Sequence, residues 1–123
     1  MTLPHVVLSG AITIDECQRH FAPFVRRDGD CIVKAERFYR ERDGQAALIE
    51  MLVVDRGHAQ KFFVHLSRRH EGITVRLEPL TDPEKTPGVR RALAAVADTL
   101  VRATGCAYGP SNIEEFLIRR REG

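Results

Sequence analysis

Glu50 and His65 are the two side chains in this sequence most readily given a chemical role. A carboxylate beside an imidazole fixes the ring tautomer and raises its pKa, which is what an acid–base pair requires. They fall on neighbouring strand-like segments and on the same side of each, so they can approach. The simpler reading is a cross-strand ion pair that compensates two polar groups inside an interface. It carries more weight, because perturbed pairs are often structural. No catalytic residue is assigned.

Other reactive residue types form no constellation. His58, His65 and His70 invite a metal, yet strand alternation puts His65 on the opposite side from the other two. There is no HExxH and no paired His/Cys spacing, so no metal and no cofactor is expected. Cys17 lies near the start of a helix, where a thiol pKa falls, with His20 three residues on. It also shares a stripe with Ile14 and Phe21, which makes it a core residue. With Cys31 and Cys106 the cysteine count is odd and lacks CxxC spacing. Buried free thiols in a reducing cytosol follow, rather than disulfides or zinc.

The arginine pairs at 26–27, 68–69 and 90–91, and the run at 119–121, could grip phosphate. Yet 19 basic residues face 17 acidic ones for a net +2, and the two signs are interleaved. A nucleic-acid partner is therefore not expected on charge grounds. No glycine-rich phosphate loop or GxSxG elbow is present. Sixteen of the 19 basic residues are arginine, a bias that reads as a GC-rich bacterial coding sequence.

The elements that position these residues are marked by their punctuation. A chain of 123 residues suits one domain, 1–123, burying roughly two-thirds of its unfolded surface. No apolar run approaches the ~20 residues of a spanning helix, so no membrane contact is expected. The N-terminus lacks the basic and apolar regions of a signal peptide, which points to the cytoplasm. A short strand begins at Val6. Thr13 and Glu16 form a capping box for a helix over 14–22, which Pro23 ends. Strands are expected at 31–41, 45–55, 59–69 and 73–80, separated by Asp43-Gly44, Arg56-Gly57 and Glu71-Gly72. A second helix starts at Pro87 or Val89 and runs to Thr104. Its stripe is Val89, Leu93, Val96 and Leu100, its cap is Gly105, and Asp98 and Arg102 form an i,i+4 pair. Ser111 to Glu114 reads as another capping box, opening a short C-terminal helix with the arginines at 119–121 at its end.

The result is an α+β order, β-α-β-β-β-β-α, with a four-to-five-stranded antiparallel sheet and helices on one face. In element order it resembles the helix-grip and TATA-binding-protein-like folds, where a curved antiparallel sheet packs helices on one side. No residue motif accompanies that resemblance, so it implies a fold and no activity.

Alternation splits each strand into two faces. Val33, Ala35, Ile49, Met51, Val53, Phe62, Val64, Leu66, Val75 and Leu77 make the core face. This needs a three-residue loop, Arg42-Asp43-Gly44. A two-residue Asp43-Gly44 turn would instead set Arg37 opposite Glu50 and Phe38 beside Ile49. The first segregates apolar residues better and is adopted. The second face then carries Phe38, Leu48, Leu52 and Phe63 among Glu50, His65 and Arg76. Those seven residues form the expected interaction surface, since an apolar patch of this kind marks an interface or a pocket.

Its expected occupant is a protein, first a second copy of the chain, making this a non-catalytic interaction module. Cover by the C-terminal residues Ile113, Phe116 and Leu117 is the intramolecular alternative. A small-molecule-binding or enzymatic domain is another, with a pocket between sheet and second helix lined by Met51, Phe62 and Val64. Single-stranded nucleic acid on the sheet aromatics is a third.

Overall fold

Turn chemistry sets most of the architecture. The computed structural model describes residues 3–118. In chain order these form β1 (His5–Ser9), α1 (Ile14–His20), β2 (Phe24–Asp28), β3 (Cys31–Arg40), β4 (Ala46–Asp55), β5 (His58–Arg69) and β6 (Gly72–Leu77). Then come α2 (Pro87–Thr104), β7 (Ala107–Ser111) and a 3-10 turn, Glu114–Phe116. The strands make one antiparallel sheet in the order β2-β3-β4-β5-β6-β1-β7. The expected meander from β3 to β6 is its centre. β1 returns to pair with β6, and β7 pairs with β1's far side.

The sheet has seven strands, not four to five. The extra pair are five-residue edge strands. In β2, Phe24 and Val25 read as an apolar continuation of α1, and Arg26, Arg27 and Asp28 hide the alternation. In β7, Gly109-Pro110 reads as a break, but an edge strand tolerates proline because one side needs no ladder bond. A register irregularity between β1 and β7 absorbs it.

Hairpin glycines act in different ways. Arg56 and Gly57 are both left-handed (φ 53° and 81°) and form the two-residue turn between Asp55 and His58. Gly72 is not in a turn: it is the first residue of β6, paired with Arg69 and with Ser9. Its φ is +145°, and a Cβ there would stand 1.9 Å from the Leu8 carbonyl oxygen. A glycine at 72 is what lets β1 lie against β6.

α1 starts as expected, with Thr13 Oγ1 accepting from the Glu16 N–H at 3.1 Å. It stops at His20, two residues early, because Pro23 forces extended backbone before it. α2 is capped by Thr86, whose Oγ1 accepts from the Val89 N–H, and ends in left-handed Gly105. All ten expected core-face residues are at most 4% exposed and meet Val89, Leu93, Val96 and Leu100 of α2. Each of these side chains larger than Ala35 contributes roughly 1.5–3 kcal/mol by leaving water.

Two local expectations fail. Asp98 does not serve a surface pair with Arg102. It is 2% exposed and accepts from the Tyr108 hydroxyl at 2.6 Å and the Ile118 N–H at 3.3 Å, tying β7 and the C-terminal segment to α2. Ser111 opens no capping box, since it belongs to β7. Its hydroxyl donates to the His5 carbonyl and accepts from the Ile113 N–H. Among the described residues, the segment that follows holds a 3-10 turn at Glu114–Phe116, and Ile118 is helical; the arginines at 119–121 lie outside the described residues. Among the described residues, no helix is long and apolar enough to cross a membrane.

Candidate functional site

The second face is shaped by one extra residue. Near the β3–β4 turn, Arg37 pairs with Glu50, Phe38 with Ile49 and Tyr39 with Leu48. Farther along, Ala35 pairs with Met51 and Val33 with Val53. The first set is the register of the two-residue turn; the second is the register of the core pattern. A β-bulge at Glu36 joins them, so each alternative holds on its own side of the bulge.

The bulge moves Phe38. It was expected on the second face, but it lies on the helix side, beside Ile49, with its ring 5.6 Å from that of Phe21. Tyr39 takes its place on the second face. The Tyr39 ring meets Phe63 edge-on with centroids 6.1 Å apart, and its hydroxyl donates to Glu50 Oε1 at 3.3 Å. Hydrogen bonding to Tyr39 and the charge of Glu50 raise the pKa of Arg37. Apart from Phe38, the expected surface residues Leu48, Glu50, Leu52, Phe63, His65 and Arg76 share the second face by register.

Register arranges this face in rows across the strands. Tyr39, Leu48, His65 and Arg76 make one row; Arg37, Glu50, Phe63 and Glu78 the next. Lys34, Leu52 and Lys61 follow, then Ile32, Val54 and Ala59. Val25 of β2 extends the lysine row and is 57% exposed. The apolar side chains Ile32, Leu48, Leu52, Val54 and Phe63 are half-buried. The described C-terminal residues do not cover them. Ile113 and Leu117 are buried, and Phe116 lies under the Arg91 guanidinium of α2, on the sheet's other side.

Glu50 and His65 do not form an acid–base pair. They sit diagonally: His65 is opposite Leu48, and Glu50 is opposite Phe63. His65 Nδ1 instead accepts from Arg76 Nε at 3.3 Å. Burial, then the Arg76 charge, lowers the pKa of this ring, and Glu78 and Glu41 oppose that. The ring is thus neutral near pH 7 and acts as an acceptor for Arg76.

The remaining candidates resolve into structure. Cys17, Cys31 and Cys106 are free and buried. Burial first, with Cys106 and Glu16 adding, pushes the Cys17 thiol up to about 12, so it is a core residue and no nucleophile. Among the described residues, no group of three His, Cys, Asp or Glu side chains is placed to hold a metal. Met51, Phe62 and Val64 are at most 2% exposed and belong to the packed core. A cavity of about 540 Å³ lies elsewhere, where the β2–β3 and β4–β5 turns meet the start of α2. Two of its three carboxylates are engaged. Asp55 Oδ2 accepts from the Gly88 N–H at 3.1 Å, and Asp28 pairs with Arg91.

Sequence reasoning missed Tyr39 and Lys61 on the second face. For Tyr39 a signal existed: core pattern and turn chemistry demanded registers differing by one residue, which is what a bulge supplies.

Comparison with known proteins adds one partial likeness. The chain is 30% identical over 53 residues to the tRNA (guanine-N(7)-)-methyltransferase of Aquifex aeolicus (strain VF5). That stretch is 43% of this chain and 18% of that enzyme, so the chain spans less than a fifth of its relative's length. No protein-family model matches the chain, and no solved structure matches it.

Proposed function

We propose that this protein is a non-catalytic interaction module that works through the second face of its sheet and associates first with a second copy of itself. The observation that carries the reading is the uncovered apolar band of Ile32, Leu48, Leu52, Val54 and Phe63, with the described C-terminal segment committed to α2. Charged side chains interleave with the band: Glu50 stands between Leu48 and Leu52 on β4, and Lys34 and Lys61 flank Leu52. Replacing both Leu48 and Leu52 by Glu tests it. The doubly substituted chain is expected to elute as a monomer with its far-ultraviolet circular dichroism unchanged, where the parent elutes as a dimer. Equal elution of the two proteins would refute the reading.

One observation favours a second reading, single-stranded RNA. Tyr39 and Phe63 offer ring faces near Arg37, Lys61 and Arg76, and the partial relative is a tRNA-modifying enzyme. Aromatic platforms ringed by cations hold unpaired bases, at ~1–3 kcal/mol per stacked base. It requires affinity for an unpaired oligonucleotide that falls steeply with salt and is lost in Phe63→Ala.

A further inference from the structure

We infer that the free edge of β2 is a docking site for an acidic peptide segment, which joins the sheet as an added strand. The site is separate from the second face and does not depend on what occupies that face.

Of the two sheet edges, β7 carries Pro110, which has no N–H to donate, whereas β2 is free of proline. Asp28 pairs with Cys31 across the two-residue Gly29-Asp30 turn, so Asp28, Arg26 and Phe24 exchange ladder bonds with β3. The N–H and C=O groups of Val25 and Arg27 therefore point away from the sheet. Arg26 holds the strand in place. Its Nη2 donates to Thr99 Oγ1 of α2 at 2.9 Å, and its guanidinium lies 5.2 Å over the Phe24 ring. Beside this edge, on the helix side, is a concavity of about 410 Å³. Phe24, Val25 and Arg26 of β2 line it with Thr99, Arg102 and Ala103 of α2, and His20 stands at its α1 end. An open ladder with a side-chain recess next to it suits an extended peptide: the ladder gives affinity and the recess gives selectivity.

Charge selects the occupant. Arg27 lies on the second-face side of the edge and Arg102 on the side of the concavity. Both are exposed, and neither is in an ion pair among the described residues. The nearby acids do not cancel them. Asp28 pairs with Arg91. Asp30 lies in the turn beyond the end of β2, and Glu36 stands one strand away in β3, where Lys34 offsets it. An incoming strand laid antiparallel, as the strands of this sheet are, sets one residue beside Arg27, the next over the concavity towards Arg102, and the third beside Val25. Two glutamates followed by a valine complement those three positions. A second copy's β2 would bring the same arginines to the edge, where like charges repel.

The blocked peptides TEEVT and TKKVT test the site, with binding read by NMR from the amide resonances of Val25 and Arg27. TEEVT is expected to shift both, and TKKVT to bind at least about ten-fold more weakly. N-methylation of the first glutamate and the valine of TEEVT removes the two N–H groups that face β2 and is expected to abolish binding. The variant R27E/R102E, checked for folding by circular dichroism, is expected to prefer TKKVT. Equal affinity of the N-methylated peptide, which is measured on the unmodified protein, overturns the proposal; so does equal affinity of TKKVT, or no binding of TEEVT at millimolar concentration. Oligouridylate that shifts the same two amides when TEEVT does not would assign the arginines to phosphate, which also overturns it. Self-association that is lost in a folded Val25→Pro variant would give the edge to a second copy, with the same consequence.

Discussion

Gly72 controls the closure of this sheet. Any side chain there meets the Leu8 carbonyl, and the φ of +145° is one that only glycine adopts readily. Gly72→Ala is expected to cost roughly 3 kcal/mol or more in urea unfolding, since backbone cannot give way as a flexible side chain does. A loss below about 1 kcal/mol would show that β1 is not held this way. His65 gives a second prediction at this scale. Its folded pKa lies below the ordinary 6.5, through burial first and Arg76 second. The unfolded chain therefore binds this proton at higher pH than the folded protein does. Stability falls as pH drops from 6.5 towards the lower folded value, and this contribution levels off below that. Unfolding curves from pH 7.5 to 5.5 should show a shallower decline for His65→Gln than for the parent. Equal slopes would mean that His65 contributes nothing.

At the scale of elements, the bulge at Glu36 is the informative feature. It places the consecutive residues Phe38 and Tyr39 in opposite environments: Phe38 against Phe21 on the helix side, Tyr39 on the second face and 46% exposed. Phe38→Ala should cost about 2 kcal/mol or more of monomer stability, because it empties packed space. Tyr39→Ala should cost about 0.5–1 kcal/mol, within the range of surface changes. The reverse order would place the bulge elsewhere. This contrast also marks where the sequence was legible. The meander, both helices and the core face follow from periodicity and glycine punctuation, which are local signals. The bulge was visible only as a conflict between two registers, and choosing one of them misplaced Phe38. Strands β2 and β7 were hidden because edge strands need neither regular alternation nor freedom from proline. Asp98 looked like a helix-surface residue because its partners Tyr108 and Ile118 come from later segments.

At the scale of the whole molecule, the two sides of the sheet differ in how far they are completed. α1, α2 and the C-terminal segment fill one side with a continuous core. The other side retains an apolar band across β3, β4 and β5, interleaved with Lys34, Lys61, Arg37 and Glu50. Six of the seven surface residues picked from alternation share this side by register, since the core pattern of β4, β5 and β6 fixes both faces at once. What occupies it was not legible, because a partner leaves no periodicity in the chain that binds it. The most direct measurement is sedimentation velocity of the unmodified protein over a concentration series reaching tens of micromolar. Self-association through this face predicts a species of twice the 13.9 kDa chain mass that grows with concentration. A single 13.9 kDa species at every concentration would contradict it.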